Sequence, residues 1–520
     1  MAAFMHNFIK KLALFLVAGL WAASSPAFSL MGPFAAWETQ ALGYGTPGGG
    51  TYFWGGPDVG APQYPGNQYR WNVPRIYYAY DASFVTYFGE AGVNAIEQAI
   101  AVFNAIPPVS QMSTNLTEFP LDSRRINYTA AALGLLDLKS TAMSEIISQL
   151  GTSDPSRYVW SLRARVLPGG LNCPEYLYNI GMFNYDPVTW NVSTYVNNVL
   201  YTWGVESSCN PDQDTTFPQL VNPTSIGGSA VAEEYVQVLS ESNPGSYFTG
   251  LTRDDAGALR YLLSSHQVAV ESLPGGAVLG SGVGGLPVVA GATQNGSPWN
   301  LLVAISLTNA TVLGNNGSPW TIISFNNATN ATNSTVTGAT TTTTASTNVV
   351  YNLAGIEKLT FVQVGFDSTI GVNFTPFQDS YSVTAYVDGH PTSVAVTRPV
   401  LEPDFLFATF GDEVITGNIT GIISRPEANY KNTAGFIGNN GPGSILPSVV
   451  AAGGLLTNSV PILFSEESPF TYTTEPIAFL TPGTSSPVIT YYGSFDGSTN
   501  APVIYPSGTS VQAIEGILFP

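Results

Sequence analysis

Helical spacing of apolar residues runs through the first half of this chain and stops near residue 273. Before that point Val93, Ile96, Ala99, Ile100 and Phe103 recur at the period of an amphipathic helix, and Pro107 and Pro108 end it. A second helix is expected within 130–150, closed by Gly151, and a third over 231–239. A fourth opens at Thr252, a capping residue, with Asp254 and Asp255 in its first turn. A strand at Arg75–Tyr80 (RIYYAY) precedes them all. Past residue 273, short β-branched or aromatic runs alternate with Gly, Pro and Asn, at 301–307, 320–325, 359–366, 381–387, 488–492 and 511–519. That texture predicts antiparallel sandwiches. The expected fold class is an α+β N-terminal domain followed by mainly antiparallel β-sandwich domains.

The boundaries follow from local composition. Lys10 and Lys11 precede an apolar run, 12–22, that is too short to cross a bilayer. Ala27 and Ser29 then supply small residues at −3 and −1, so 1–29 reads as an export signal cut before Leu30. A short membrane anchor is the alternative. Residues 30–70 form an extended arm rich in Gly, Pro and aromatics, whose only acids are Glu38 and Asp58. Burying a large ring gains about 2–3 kcal/mol. Trp37, Phe53 and Trp54 are therefore candidate subunit contacts, unless the arm folds back on its own domain. An α+β domain over 71–270, a sandwich over 271–399 and a β-rich domain over 400–520 complete the layout, with a break expected near Pro399. No run after the leader is long and apolar enough to span a membrane.

Charge narrows the partners. The formal net charge is −19, and losing Lys10 and Lys11 makes it more negative. Nucleic acid and anionic membranes need a basic footprint, so neither is an expected partner. Yet charged residues are only 10%, against about a quarter in ordinary domains. A surface of Thr, Ser, Asn and Gly suits a protein packed on copies of itself or carrying glycan. The Thr/Asn-rich insert 325–348 holds the candidate glycosylation sites Asn327, Asn330, Asn333, Thr340, Thr341, Thr342, Thr343 and Thr344.

Residues suited to catalysis are scarce. Past the leader only His266, His390, Cys173 and Cys209 remain of their types. In an oxidising compartment one Cys173–Cys209 disulfide is the simplest reading, with two buried thiols as the alternative. Asp254 and Asp255 read as helix N-terminal acids rather than a catalytic pair. Asp496 and its neighbours read as a β-turn rather than a calcium loop. No Gly-x-Ser-x-Gly occurs. The chain is expected to be no enzyme, with no catalytic, cofactor or metal residue.

Three segments carry a resemblance. The strand RIYYAY, the helix at 92–106 and the stretch from Leu251 (LTRDDAGALRYL) resemble the opening strand and helix and the closing helix of secreted metzincin-type proteases. The resemblance implies a degenerate metzincin-like N-terminal region: no His-Glu-x-x-His occurs, and no zinc or catalytic residue carries over. The whole chain is similar to secreted bacterial surface and filament-forming proteins. The residues behind this are YRWNVP from Tyr69, PDFLF from Pro403 and GSFDGSTNAP from Gly493. That resemblance implies an extracellular, self-associating structural subunit of a filament or surface layer. A glycan-binding adhesin and a secreted hydrolase with an unfamiliar site are the alternatives.

Overall fold

The computed structural model describes residues 27–32, 34–35, 37–39, 42, 44, 61–66, 68–166, 176–206, 215–221, 244–273, 277–279, 311–313, 319–321, 350–365, 374–387, 390–401, 403–410, 460–465 and 491–518. Within them the molecule mixes helices with many antiparallel strands in several sheets, and one further sheet is parallel.

Arg75–Tyr80 lies inside that parallel sheet. Thr360–Gln363 flanks it on one side and Phe405–Phe410 on the other, and Val460–Ser465 pairs with Phe405–Phe410. FLFATF and VPILFS are nearly continuous in apolar residues, as expected of strands in a parallel sheet, while the edge strand TFVQ is half polar with Gln363 exposed. The sheet unites strands from all three expected domains, so its hydrogen bonding crosses the boundaries at 270 and 399.

Directly after Arg75–Tyr80 the chain enters the helix Ala82–Asn104. Asp81 caps it by accepting from the Ser83 amide. Its buried face carries Phe84, Phe88, Gly92, Ala95, Ile96, Ala99, Ile100 and Phe103. The helix starts ten residues earlier than the 92–106 segment singled out in the sequence. Gly89, at φ +62°, breaks the regular backbone inside it. Phe84 and Phe88 bring this first stretch into an aromatic cluster with Tyr80, Phe407, Phe464, Tyr492 and Tyr505.

A second helix, Leu138–Gln149, buries every residue except Lys139. An element apolar or buried all round belongs at the centre of a fold rather than on its surface. A further helix, Arg253–Leu263, opens at the cap expected at Thr252, here a full capping box: its side chain meets the Asp255 amide while Asp255 reaches back to the Thr252 amide.

The antiparallel part centres on the hairpin Phe377–Val387 with His390–Val400, in register from Phe377 opposite Val400 to Val387 opposite His390. Pro399 pairs with Gln378 within it. Val268–Ser272, Val350–Ala354 and Val278–Leu279 complete this sheet. The run at 511–519 is not a strand. Val511–Leu518 forms a helix, with Ser510 accepting from the Ala513 amide and Ile514 buried. The helix expected at 231–239, the strand at 301–307 and the insert 325–348 lie outside the described residues, apart from a small part of the neighbouring 320–325 run in the strand Pro319–Thr321. Among the described residues, no helix is long and apolar enough to cross a membrane.

Candidate functional site

The helix Leu138–Gln149 brings the densest set of buried polar side chains into the core. Asp137 caps it, accepting from the Ser140 amide at 3.0 Å. Ser144 and Ser148 stand one turn apart on one face, with Glu145 beside them, all buried. Gly151 then turns the chain at φ +103°, a conformation that favours glycine. Thr152–Ser153 is a short strand, and Asp154 caps the helix Pro155–Tyr158. Asp154 Oδ1 accepts from the Ser156 amide (2.7 Å), the Ser156 hydroxyl (2.7 Å) and the Arg157 amide (3.2 Å), while Oδ2 meets no donor. Burial pushes the Asp137 carboxyl up to about 6 despite the Ser140 bonds, and raises Asp154 as well.

The row consists of hydroxyls and carboxyls and contains no imidazole. His266 is exposed beyond the helix Arg253–Leu263, and His390 is exposed at the start of the long hairpin strand. Among the described residues, no group of three His, Cys, Asp or Glu side chains is placed to hold a metal ion.

The N-terminal segment closes over the end of this helix. The strand Phe28–Gly32 pairs with Thr152–Ser153, with Asn184–Tyr185 and with Ala61–Pro62. The Met31 amide donates to Gly151 O (2.9 Å), the Tyr69 amide to Met31 O (2.7 Å), and Trp71 Nε1 to Gln149 O (2.8 Å). A Cβ on Gly151 would lie 2.1 Å from Tyr69 O. Ala27, Phe28 and Ser29, expected to leave with the signal, are therefore inside the fold. Asp254 meets them: its Oδ1 accepts from the Ala27 amide and its Oδ2 from the Asn197 amide, each at 2.7 Å. Burial holds Asp254 well above the usual carboxylate range.

Trp37 is the one expected subunit contact among the described residues, and its neighbours belong to its own chain. Its ring stacks on Phe183 (6.0 Å), meets Tyr44 edge-on (5.5 Å) and lies under the Arg163 guanidinium (5.2 Å). Next to Trp37, burial raises Glu38 to about 7. Phe53, Trp54, Cys173, Cys209, Asn327, Asn330, Asn333 and Thr340, Thr341, Thr342, Thr343 and Thr344 lie outside the described residues. Asp496 sits in a tight turn, its Oδ1 accepting from the Ser498 amide at 2.8 Å.

Comparisons with protein-family models, with curated proteins and with solved structures find no match to this chain. The buried row on Leu138–Gln149 escapes a search for histidine pairs. Its signal is the spacing of Ser144, Glu145, Ser148, Gly151 and Asp154.

Proposed function

We propose that this chain is an exported, non-catalytic structural subunit of an extracellular filament or surface layer, built on a metzincin-like scaffold that has lost its zinc ligands. One observation carries the non-catalytic part. The metzincin signature is His-Glu-x-x-His-x-x-Gly-x-x-His. At that spacing this chain has Ser144-Glu145-x-x-Ser148-x-x-Gly151-x-x-Asp154. Glutamate and glycine are kept, on a helix followed by a left-handed glycine turn. Both helical imidazoles are serines. Zinc sites draw on Cys, His, Asp and Glu, and two carboxylates with two hydroxyls do not make such a set. These residues do not fit the metal.

Self-association is supported by the sparse charge and by apolar side chains left in water. In the ribbon Ser161–Val166 with Leu177–Gly181, Val166 and Leu177 face each other across the strands, 60% and 64% exposed. The long antiparallel sheet is read as one layer of a β-sandwich. A glycan-binding adhesin is the second reading, favoured by the exposed rings of Tyr128 and Trp190.

The test is purified exported protein, concentrated and followed by light scattering, with metal content measured in parallel. Concentration-dependent growth without stoichiometric zinc is expected. A strict monomer, or chelator-removable zinc that leaves together with peptidase activity, contradicts the proposal.

A further inference from the structure

Several bonds of the leader have small residues at −3 and −1, Ser24–Ser25 and Ser25–Pro26 among them, and two lie at the strand Phe28–Gly32. Ser25 and Ala27 precede the Ala27–Phe28 bond, and Ala27 and Ser29 precede the Ser29–Leu30 bond. The fold separates them. Phe28 is 1% exposed, its ring 6.2 Å from that of Tyr185 and 5.8 Å from that of Tyr261. Ser29 pairs with Ser153 on one side and Asn184 on the other, and its hydroxyl donates to Phe183 O at 2.8 Å. A cut before Leu30 removes both residues. It leaves Asn184–Tyr185 without this partner strand and opens a hole the size of a phenyl ring, which a packed interior does not tolerate.

Asp254 supplies an independent observation. Its carboxylate is buried, and its two oxygens are taken by neutral backbone amides, those of Ala27 and Asn197. Of its charged sequence neighbours, Asp255 holds the Thr252 amide and hydroxyl and repels the Asp254 charge, while Arg253 attracts that charge and donates to Leu116 O and Phe119 O. A buried carboxylate is costly without a cation. Phe28 lines the same small cleft as Asp254, together with Thr152 and Pro155.

We propose that the exported chain is cut between Ala27 and Phe28, and that the Phe28 ammonium so created becomes the counter-ion of Asp254. This rests on the export reading. Water, delivered by a signal peptidase, adds across the Ala27–Phe28 amide. The carboxylate leaves on Ala27 with the leader, and the ammonium stays on Phe28. That nitrogen lies one residue, about 3.8 Å along the chain, from the amide that now faces Asp254. The strand Phe28–Gly32 keeps all its pairings.

N-terminal sequencing and intact mass of the protein recovered outside the producing cell test the position. A chain beginning Phe28-Ser29-Leu30 is expected. A processed chain beginning at Leu30, or at any other residue, overturns this proposal and leaves the export reading standing. An unprocessed chain retained in the cell overturns both. The ion pair is read separately by labelling the terminal amine of the native protein with an acylating reagent. Protection in the native protein, lost on denaturation and lost in Asp254→Asn, is expected. Native labelling as fast as that of a free peptide amine overturns the pairing.

Discussion

Single residues show how far the chain's chemistry is turned inward. Arg70 is buried with Glu271 as its ion-pair partner, and it also donates to Leu262 O, Gln267 O and Leu353 O. Replacing it with Met leaves the buried Glu271 without its cation, holding only the Asn72 amide at 3.2 Å, so Arg70→Met should cost about 3–5 kcal/mol in denaturant unfolding. Asp137 gives a pH prediction with a definite sign. Burial raises its folded carboxyl from 3.8 to about 6, so between those values the folded state binds the proton that the unfolded chain releases. Stability contributed by this group therefore falls as pH rises from about 4 to about 6, by roughly 1–3 kcal/mol. Asparagine still caps a helix, so Asp137→Asn should flatten that slope and stabilise the protein at pH 7 relative to pH 4.5. Urea titrations at the two pH values check it; an unchanged slope contradicts it. The Thr252 cap was legible in the sequence because its partner is three residues away. Arg70 was not, because Glu271 is distant in the chain and only the fold joins them.

At the scale of elements, what the sequence revealed depended on period and on neighbours. Apolar spacing marked the helix Ala82–Asn104 from residue 93 on and missed its first turns, which are set off by the non-helical backbone at Gly89. Of the parallel strands, the run at 359–366 was expected in an antiparallel sandwich, because short apolar runs do not show direction and pairing partners in a parallel sheet lie far apart along the chain. The helix Val511–Leu518 was mistaken for a strand because Val511, Ile514 and Ile517 are β-branched, a weak preference that packing overrode. The buried row from Ser144 to Asp154 stayed unseen because serine carries no metal signal of its own. Its geometry depends on the turn at Gly151. Gly151→Ala should destabilise the fold by roughly 1–3 kcal/mol from backbone strain alone, with the contact against Tyr69 O adding to it. Thermal or urea unfolding measures this, and a wild-type midpoint contradicts the account of the turn.

The whole molecule is a mixed fold whose parallel sheet gathers strands from both ends of the chain around one aromatic core. Its N-terminal segment lies over the end of the helix Leu138–Gln149, which carries the buried Ser144, Glu145 and Ser148. On the proposed reading, its exposed ribbon and low charge suit contact with copies of itself. Leu177→Glu in the ribbon Ser161–Val166 with Leu177–Gly181 should weaken self-association while leaving the unfolding midpoint within about 0.5 kcal/mol of wild type, as surface changes usually do. Sedimentation of the variant beside wild type reads both effects. The most direct measurement of the central claim is electron microscopy of material shed from the producing cell, with an antibody against this chain. Fibres or sheets decorated along their length are the result this account predicts; label confined to dispersed single particles would contradict it.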